Sequence, residues 1–378
     1  MAFAAWSAWC GQMPRPYTWG MDAGCEAMYN RSRWRIRGGI RMAIAIVCSL
    51  TLGLGSVACR PLAQVPRVVK IGLVGSFEDL YRNSGYEVLY AVKLAVAEWN
   101  SRGGVAGHPI ELVALDDSGS AEQARRQPAE LAADPDILGA VGHTQANTTD
   151  VALSEYARLG LPLVSPTAWA RNPGSEWVFF AAGAYLQEAV AALRGAGLRF
   201  GTRIAVVGGG EEWLRLSSWA ATVLSPGETI PPGTQAVVLA GPPDRAAEWA
   251  QGYAGLGVPL VGGSDLGGGV FAALAGESAR GVWIGHTAAQ AGTSDWEAFR
   301  QGYAALAGSD PRLIAPVAYD AANALLAAME RAAESGDLSR AGVTRALRET
   351  DWPGLTGRVA FAADGARTEV VAGALALP

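Results

Sequence analysis

VVKIGLVGSFEDLYRNSGYEVLYAVKLAVAEWNSRGGVAGHPIELVALDD, residues 68–117, decides the fold. It opens on Val68–Val74, a short β-branched apolar run of the kind buried on both faces of a sheet. From Gly85 to Asn100 the period changes, and Val88, Val92, Ala95, Val96 and Trp99 fall on one face of a helix. Arg102-Gly103-Gly104 stops that helix, as glycine past the last turn does. Ile110–Leu115 then reads as a second strand. Strand, helix and strand in this order predict a βαβ unit with parallel strands.

The alternation continues toward the C-terminus. Ser120 and Gln123 make a capping-box pair for a helix reaching Ala133. Ile137–Val141 follows as a strand, Thr149–Leu159 as a helix and Pro162–Val164 as a short strand. A second series starts at Arg203, with strands predicted at Ile204–Val207, Ala236–Ala240, Pro259–Val261 and Val282–Ile284. Its helices are predicted at Glu211–Val223, Arg245–Leu256 and Gly268–Ala275, and Ser225–Gly233 is a loop by composition. A long helix, Val317–Ala333, precedes a strand at Gly357–Phe361 and a turn at Asp364-Gly365. Single helices between strands predict an α/β fold of two Rossmann-like lobes with mainly parallel sheets. Ligands of such sheets bind beyond the carboxyl ends of the strands, here in a cleft between the lobes.

The N-terminal side has another character. Arg31, Arg33, Arg35, Arg37 and Arg41 precede the apolar run Met42–Leu54, and Gly55-Ser56-Val57-Ala58 leads to Cys59. Positive, apolar and small residues in that order read as an export signal, residues 1–58. The apolar run is short for a membrane span, which takes roughly 20 residues. A cysteine after small residues resembles the lipobox of bacterial lipoproteins, although Ser56 stands where that motif has an aliphatic residue. Cys59 is then the lipid attachment point and 59–67 a tether to the membrane; an ordinary cleaved signal or an uncleaved anchor are the other readings. Residues 1–27 show no period and read as a start placed too early, with Met28 or Met42 opening the chain.

The first 58 residues hold six arginines and two acids, so the remaining 320 carry 24 basic against 33 acidic residues. That length suits two domains. The acidic balance, with no basic cluster, argues against nucleic acid as a partner. All four cysteines lie at or before Cys59, so the body of the chain forms no internal disulfide.

At IGLVGSFEDLY (71–81), AVKLAVAEWNSRGGVAGHPIELVALDD (91–117), AVGHTQANTTDVALSEYARLGLPLVSPTA (140–168), AYDAANALLAAMERA (318–332) and GLTGRVAFAADG (354–365), the chain resembles the periplasmic branched-chain amino-acid binding proteins of ABC transporters. The resemblance implies the type I solute-binding fold, with two lobes joined by three crossings and closing over a small solute. It places lobe I at 68–186 and 290–350, and lobe II at 187–289 and 351–378. The interval from Ile204 to Val237 has room for one helix and a loop, where the family fits a further strand and helix, so lobe II reads as trimmed.

By the same resemblance, Tyr81 is an aromatic lid. Ala146, Asn147 and Thr148, with Thr149 beside them, form the loop that holds a ligand carboxylate. Ala146 replaces the usual serine. Thr167 and Trp169 occupy the amine-fixing stretch, and Trp169 replaces a threonine. In lobe II, Asp265 with Ser264 is the candidate amine partner, and Trp213 lies near an expected tyrosine. Each has a plainer reading. Asn147, Thr148 or Thr149 can cap its own helix, Trp169 can be core, and Asp265 between glycines is ordinary turn chemistry.

Catalytic readings fail on spacing. Asp116-Asp117 leave a strand on opposite sides. His108, His143 and His286 lack metal-ligand spacing. Gly208-Gly209-Gly210 is broken as a dinucleotide fingerprint by Trp213, and Gly262–Leu266 fails the nucleophile-elbow pattern. The expectation is a non-enzyme with no cofactor. It is an extracytoplasmic solute-binding lipoprotein that presents an amino acid-like small polar solute to an ABC transporter permease. The alternative is a sensor or scaffold lipoprotein that uses the same fold to bind a partner protein.

Overall fold

The computed structural model describes residues 68–169, 174–209 and 219–378. The readings placed on the export signal, on Cys59 and on Trp213 lie outside them. The first sheet runs β2-β1-β3-β4-β5, from β1 (Val69–Gly75), β2 (Ile110–Asp116), β3 (Ile137–Gly142), β4 (Leu163–Ser165) and β5 (Val178–Phe180), all parallel. Helices α1 (Arg82–Ser101), α2 (Ala121–Ala133) and α3 (Ala146–Leu159) connect its first four strands. Ser120 caps α2 by accepting from the Gln123 N–H, as its sequence predicts. Gly160, at φ 61°, ends α3 in the left-handed conformation that glycine adopts without strain.

After α4 (Tyr185–Gly195) the chain builds a second sheet, in order β13-β10-β9-β8-β6-β7. Its strands are β6 (Ile204–Val207), β7 (Ala221–Leu224), β8 (Ala236–Leu239), β9 (Leu260–Gly262), β10 (Trp283–Thr287) and β13 (Ala372–Ala376). All pair in parallel except β13, which runs antiparallel along β10. Helices α5 (Pro243–Tyr253) and α6 (Val270–Ala275) lie between its strands.

The chain then returns to the first lobe with α7 (Ser294–Ala307), α8 (Ala315–Glu334) and α9 (Arg340–Arg348). Val317, Ala321, Leu325 and Met329 of α8 share a core with Val88 and Val92 of α1 and Ile71 of β1. The hairpin β11 (Asp351–Gly354) and β12 (Gly357–Ala360) joins the same core through Leu355, Val359 and Phe361. Resemblance had allotted residues from 351 onward to lobe II, whereas it is β13 that enters the second sheet.

The helix expected over Glu211–Val223 is corrected at its end. Ala221–Leu224 is a parallel strand beside β6, so the second sheet has the further strand that the interval was expected to lack. Its exposed outer face removes the apolar alternation that marks a strand. Helices α4, α7 and α9 and strands β5, β11 and β13 are additions to the predicted elements.

Three chain segments cross between the sheets, and buried polar groups fasten them. Gly183 N–H donates to Thr287 Oγ1 at 3.0 Å, tying the first crossing to the second. The Arg367 guanidinium of the third crossing donates to Ala181 O, Thr356 O and Thr356 Oγ1, each at 2.8 Å. Asp320 of α8 accepts from Leu355 and Thr356 N–H, both at 2.8 Å. A guanidinium supplies five fixed donors and suits such a junction of carbonyls.

Candidate functional site

The carboxyl ends of β1, β2 and β3 are knitted together by side chains. Ser76 Oγ donates to Asp117 Oδ1 at 2.8 Å, and Asp117 Oδ2 lies 2.6 Å from His143 Nδ1. Ser76 N–H donates to Thr144 Oγ1 at 3.1 Å, and Phe77 N–H to Asp116 Oδ1 at 2.7 Å. Ser76, Asp117, His143 and Thr144 are all buried. Desolvation pushes the Asp117 carboxyl up, but the hydrogen bond and charge of His143 outweigh it and hold the group below its ordinary 3.8. The adjacent aspartates therefore serve the loop structure. Gly85 lets α1 pack on this loop, since a Cβ there would stand 1.8 Å from Ser76 O.

The second lobe meets this rim through the 3-10 turn Ser264–Gly268 after β9. Asp265 Oδ2 accepts from Ala146 N–H, at the first residue of α3, at 3.3 Å. Behind it, Glu188 of α4 accepts from Ser264 N–H at 2.9 Å, and Gly263 N–H donates to Tyr185 Oη at 3.2 Å. Desolvation pushes the Glu188 carboxyl up to about 8 and that of Asp265 up to about 6, the latter against the Ala146 N–H that stabilises its ionised form. A second contact joins the lobes where Tyr81 Oη donates to Asp244 Oδ1 of α5 at 2.8 Å.

The residues singled out in sequence are thus placed as follows. Ala146 and Asp265 touch each other. Tyr81 is buried and spans the lobes. Ser264 lines the space beside Asp265. Thr148 and Thr149 are buried, and both hydroxyls donate to Gln145 O, at 3.1 and 2.8 Å, bonding back onto the first turn of their own helix. Thr167 is buried and bonds Thr149 and Ser165 through hydroxyls at 3.0 Å. Asn147 is exposed. Trp169 stacks at 5.6 Å on Phe180 against the core of the first sheet, and its buried Nε1 has no partner.

Sequence reading missed Gln145, Glu87 and Glu188. Glu188 had a signal, because it falls on the apolar face of α4 with Tyr185, Ala189 and Ala192, all buried. Between the lobes a space of about 20 Å³ is lined by Ser84, Glu87, Thr144, Gln145, Ser264 and Asp265, among others. That is room for a water and not for a solute. A larger cavity of about 270 Å³ lies along α1, lined by Asn83, Tyr86, Tyr90, Tyr303 and Arg312, and Glu87 borders both spaces. Among the described residues no group of three or more His, Cys, Asp or Glu is arranged to hold a metal ion. Nor is any helix among them long and apolar enough to cross a membrane.

Two α/β lobes with mainly parallel sheets, three crossings and facing strand ends define a type I binding fold. The family model described as periplasmic binding protein matches residues 68–223 and 232–372, and the chain belongs to that family, whose members bind solutes and are not enzymes. Solved structures share the fold. The branched-chain amino-acid substrate-binding protein LivJ from Streptococcus pneumoniae, in complex with isoleucine, is 20% identical, with a TM-score of 0.66 over 82% of this chain and 99% of that one. A leucine-binding protein LivK from Thermotoga maritima is 19% identical, with a TM-score of 0.66 over 81% and 96%. A putative branched-chain amino acid ABC transporter protein from Rhodospirillum rubrum is 26% identical, with a TM-score of 0.57 over 82% and 98%. No curated protein matches the chain.

Proposed function

We propose that this chain is an extracytoplasmic solute-binding lipoprotein, tethered through Cys59, that closes its lobes over a small polar solute and presents it to an ABC permease. The observation that carries this reading is the pairing of polar groups from both lobes at one helix end, where Asp265 meets Ala146 N–H. Solute enters on the first lobe, at the rim of residues 142–149. Closure then adds second-lobe contacts, and it is favoured to the extent that the closed state binds better. A micromolar ligand supplies about −8 kcal/mol, within reach of one such buried contact set.

Native mass spectrometry of the purified protein tests the reading by detecting a co-purified small molecule. A thermal-shift panel of amino acids, amines, amides, aromatic acids and nucleoside-like solutes tests it a second time, and no stabilisation by any of them would sink it. Mass spectrometry of membrane-extracted protein tests the anchor, and an unlipidated N-terminus away from Cys59 removes that part. The interlobe space of about 20 Å³ favours a second reading, a sensor or scaffold that binds a partner protein. A pull-down that recovers a regulator and no permease would select it.

A further inference from the structure

The end of α3 that faces the second lobe already holds a carboxylate. A helix N-terminus leaves N–H groups unpaired and favours one negative charge. Asp265 Oδ2 fills that place at 3.3 Å from Ala146 N, and the N-cap residue Gln145 supplies no capping side chain to the helix. A solute carboxylate seated at the same N–H groups would have to displace Asp265 or lie beside it as a like charge.

The groups around the interlobe space carry an excess of acceptors. Gln145 is 2% exposed, and its Oε1 has no hydrogen-bond partner among the described residues. Asp265 and Glu87 line the same space, and Glu87 Oε1 accepts from Ala315 N–H at 3.3 Å. Thr144, Ser84 and Ser264 bring hydroxyls, which both donate and accept. A buried acceptor without a donor is costly, so the complementary ligand is one that brings N–H donors.

Resting on the solute-binding reading above, we propose that the cleft selects a small organic amine without a carboxylate, with Asp265 as the specificity-determining residue that takes the carboxylate's seat. The ammonium lies between Asp265 and Gln145 Oε1 once the lobes part to admit it. Amino acids are excluded by the charge already present at α3. Discrimination of this kind works by an unfavourable contact with the wrong ligand as much as by a favourable one with the right ligand.

Isothermal titration of the purified protein with matched pairs that differ by a carboxylate reads this directly. The pairs are L-leucine and 3-methylbutylamine, L-lysine and 1,5-diaminopentane, and L-arginine and agmatine. The expected result is that in at least one pair the amine binds about tenfold or more tightly than its amino acid. Asp265→Asn keeps an acceptor for Ala146 N–H and removes the charge. It should weaken the amine and narrow the ratio within the pair, and circular dichroism checks that the variant is folded. Gln145→Leu, which leaves Asp265 in place, should weaken the same amine. Amino acids that bind as tightly as their amines in every pair that binds, or a ratio unmoved by Asp265→Asn, overturn the proposal. Binding by none of the amines overturns it as well. The wider solute-binding reading then still stands if the thermal-shift panel finds a neutral or carboxylate ligand, and falls with it if the panel finds none.

Discussion

On the first lobe, the strand ends behind the cleft are closed by hydrogen bonds. Ser76, Asp117, His143 and Thr144 bond one another, and Tyr156 Oη reaches His143 Nε2 at 3.4 Å. On the second lobe, the acids are less provided for. Glu188 keeps an unpartnered oxygen, and both Glu188 and Asp265 have carboxyls raised by burial. The strand ends of the first lobe are therefore a preformed frame, and the groups that wait to be satisfied lie at the cleft itself, Gln145 and Glu87 on the first lobe and Asp265 on the second. A closing receptor needs this division, because only contacts that differ between open and closed states can shift the equilibrium.

Removing Asp117 breaks the comparison most severely. Asp117→Ala leaves His143 and Ser76 buried without their shared acceptor. It should cost about 3–5 kcal/mol, the usual penalty for deleting one member of a buried hydrogen-bonded pair. Denaturant unfolding measures it. The Asp117 carboxyl is held below its unfolded value, so its contribution is complete above pH 3.8 and disappears as the pH falls through the lower folded value. The variant should lose that acid-sensitive part of the stability curve, and a cost under about 1 kcal/mol would show the frame to be less tightly built than its distances suggest.

Glu188 should behave in the opposite way. Its folded carboxyl, near 8, lies above the ordinary 4.5, so the folded state holds a proton that the unfolded chain has released. Stability therefore falls as pH rises from 4.5 toward 8, at about 1.4 kcal/mol for each unit of the shift. Glu188→Gln should flatten that decline and be the more stable protein at pH 8. Thermal melts between pH 5 and pH 8 give the answer, and an unchanged slope would mean that Glu188 is ionised in the folded protein.

The contrast between the lobes was only partly legible in the sequence. Strands β1 and β3 were legible as short apolar runs buried on both faces, and helix α1 as a long apolar period with one buried face. The strand Ala221–Leu224 was not, because four residues at a sheet edge give too short a signal against a preceding helical pattern. At the site, the helix end at Ala146 and the acid at Asp265 were both legible, but not that they touch, since that contact depends on how two lobes meet. The threonines resembled ligand groups and instead donate back to Gln145 O in the first turn of α3, a bond that the same local sequence makes equally well. Trp169 sits in a polar loop by sequence, and packing against Phe180 draws it into the core.

The smallest effect is expected where the two lobes touch through a neutral donor. Tyr81 and Asp244 sit on opposite lobes, and their 2.8 Å bond is partly buried. Tyr81→Phe keeps the ring and removes the hydroxyl. It should lower overall stability by about 1 kcal/mol or less, because water can serve the Asp244 carboxylate once the lobes separate. The same loss acts fully on the balance between closed and open lobes, where about 1 kcal/mol is roughly a fivefold change in ratio. Small-angle scattering without ligand should then show a larger radius for the variant than for the wild type, while the melting midpoint scarcely moves. An unchanged radius with a fall in the midpoint would make Tyr81 part of the first-lobe frame and leave Asp265 as the contact that holds the cleft shut.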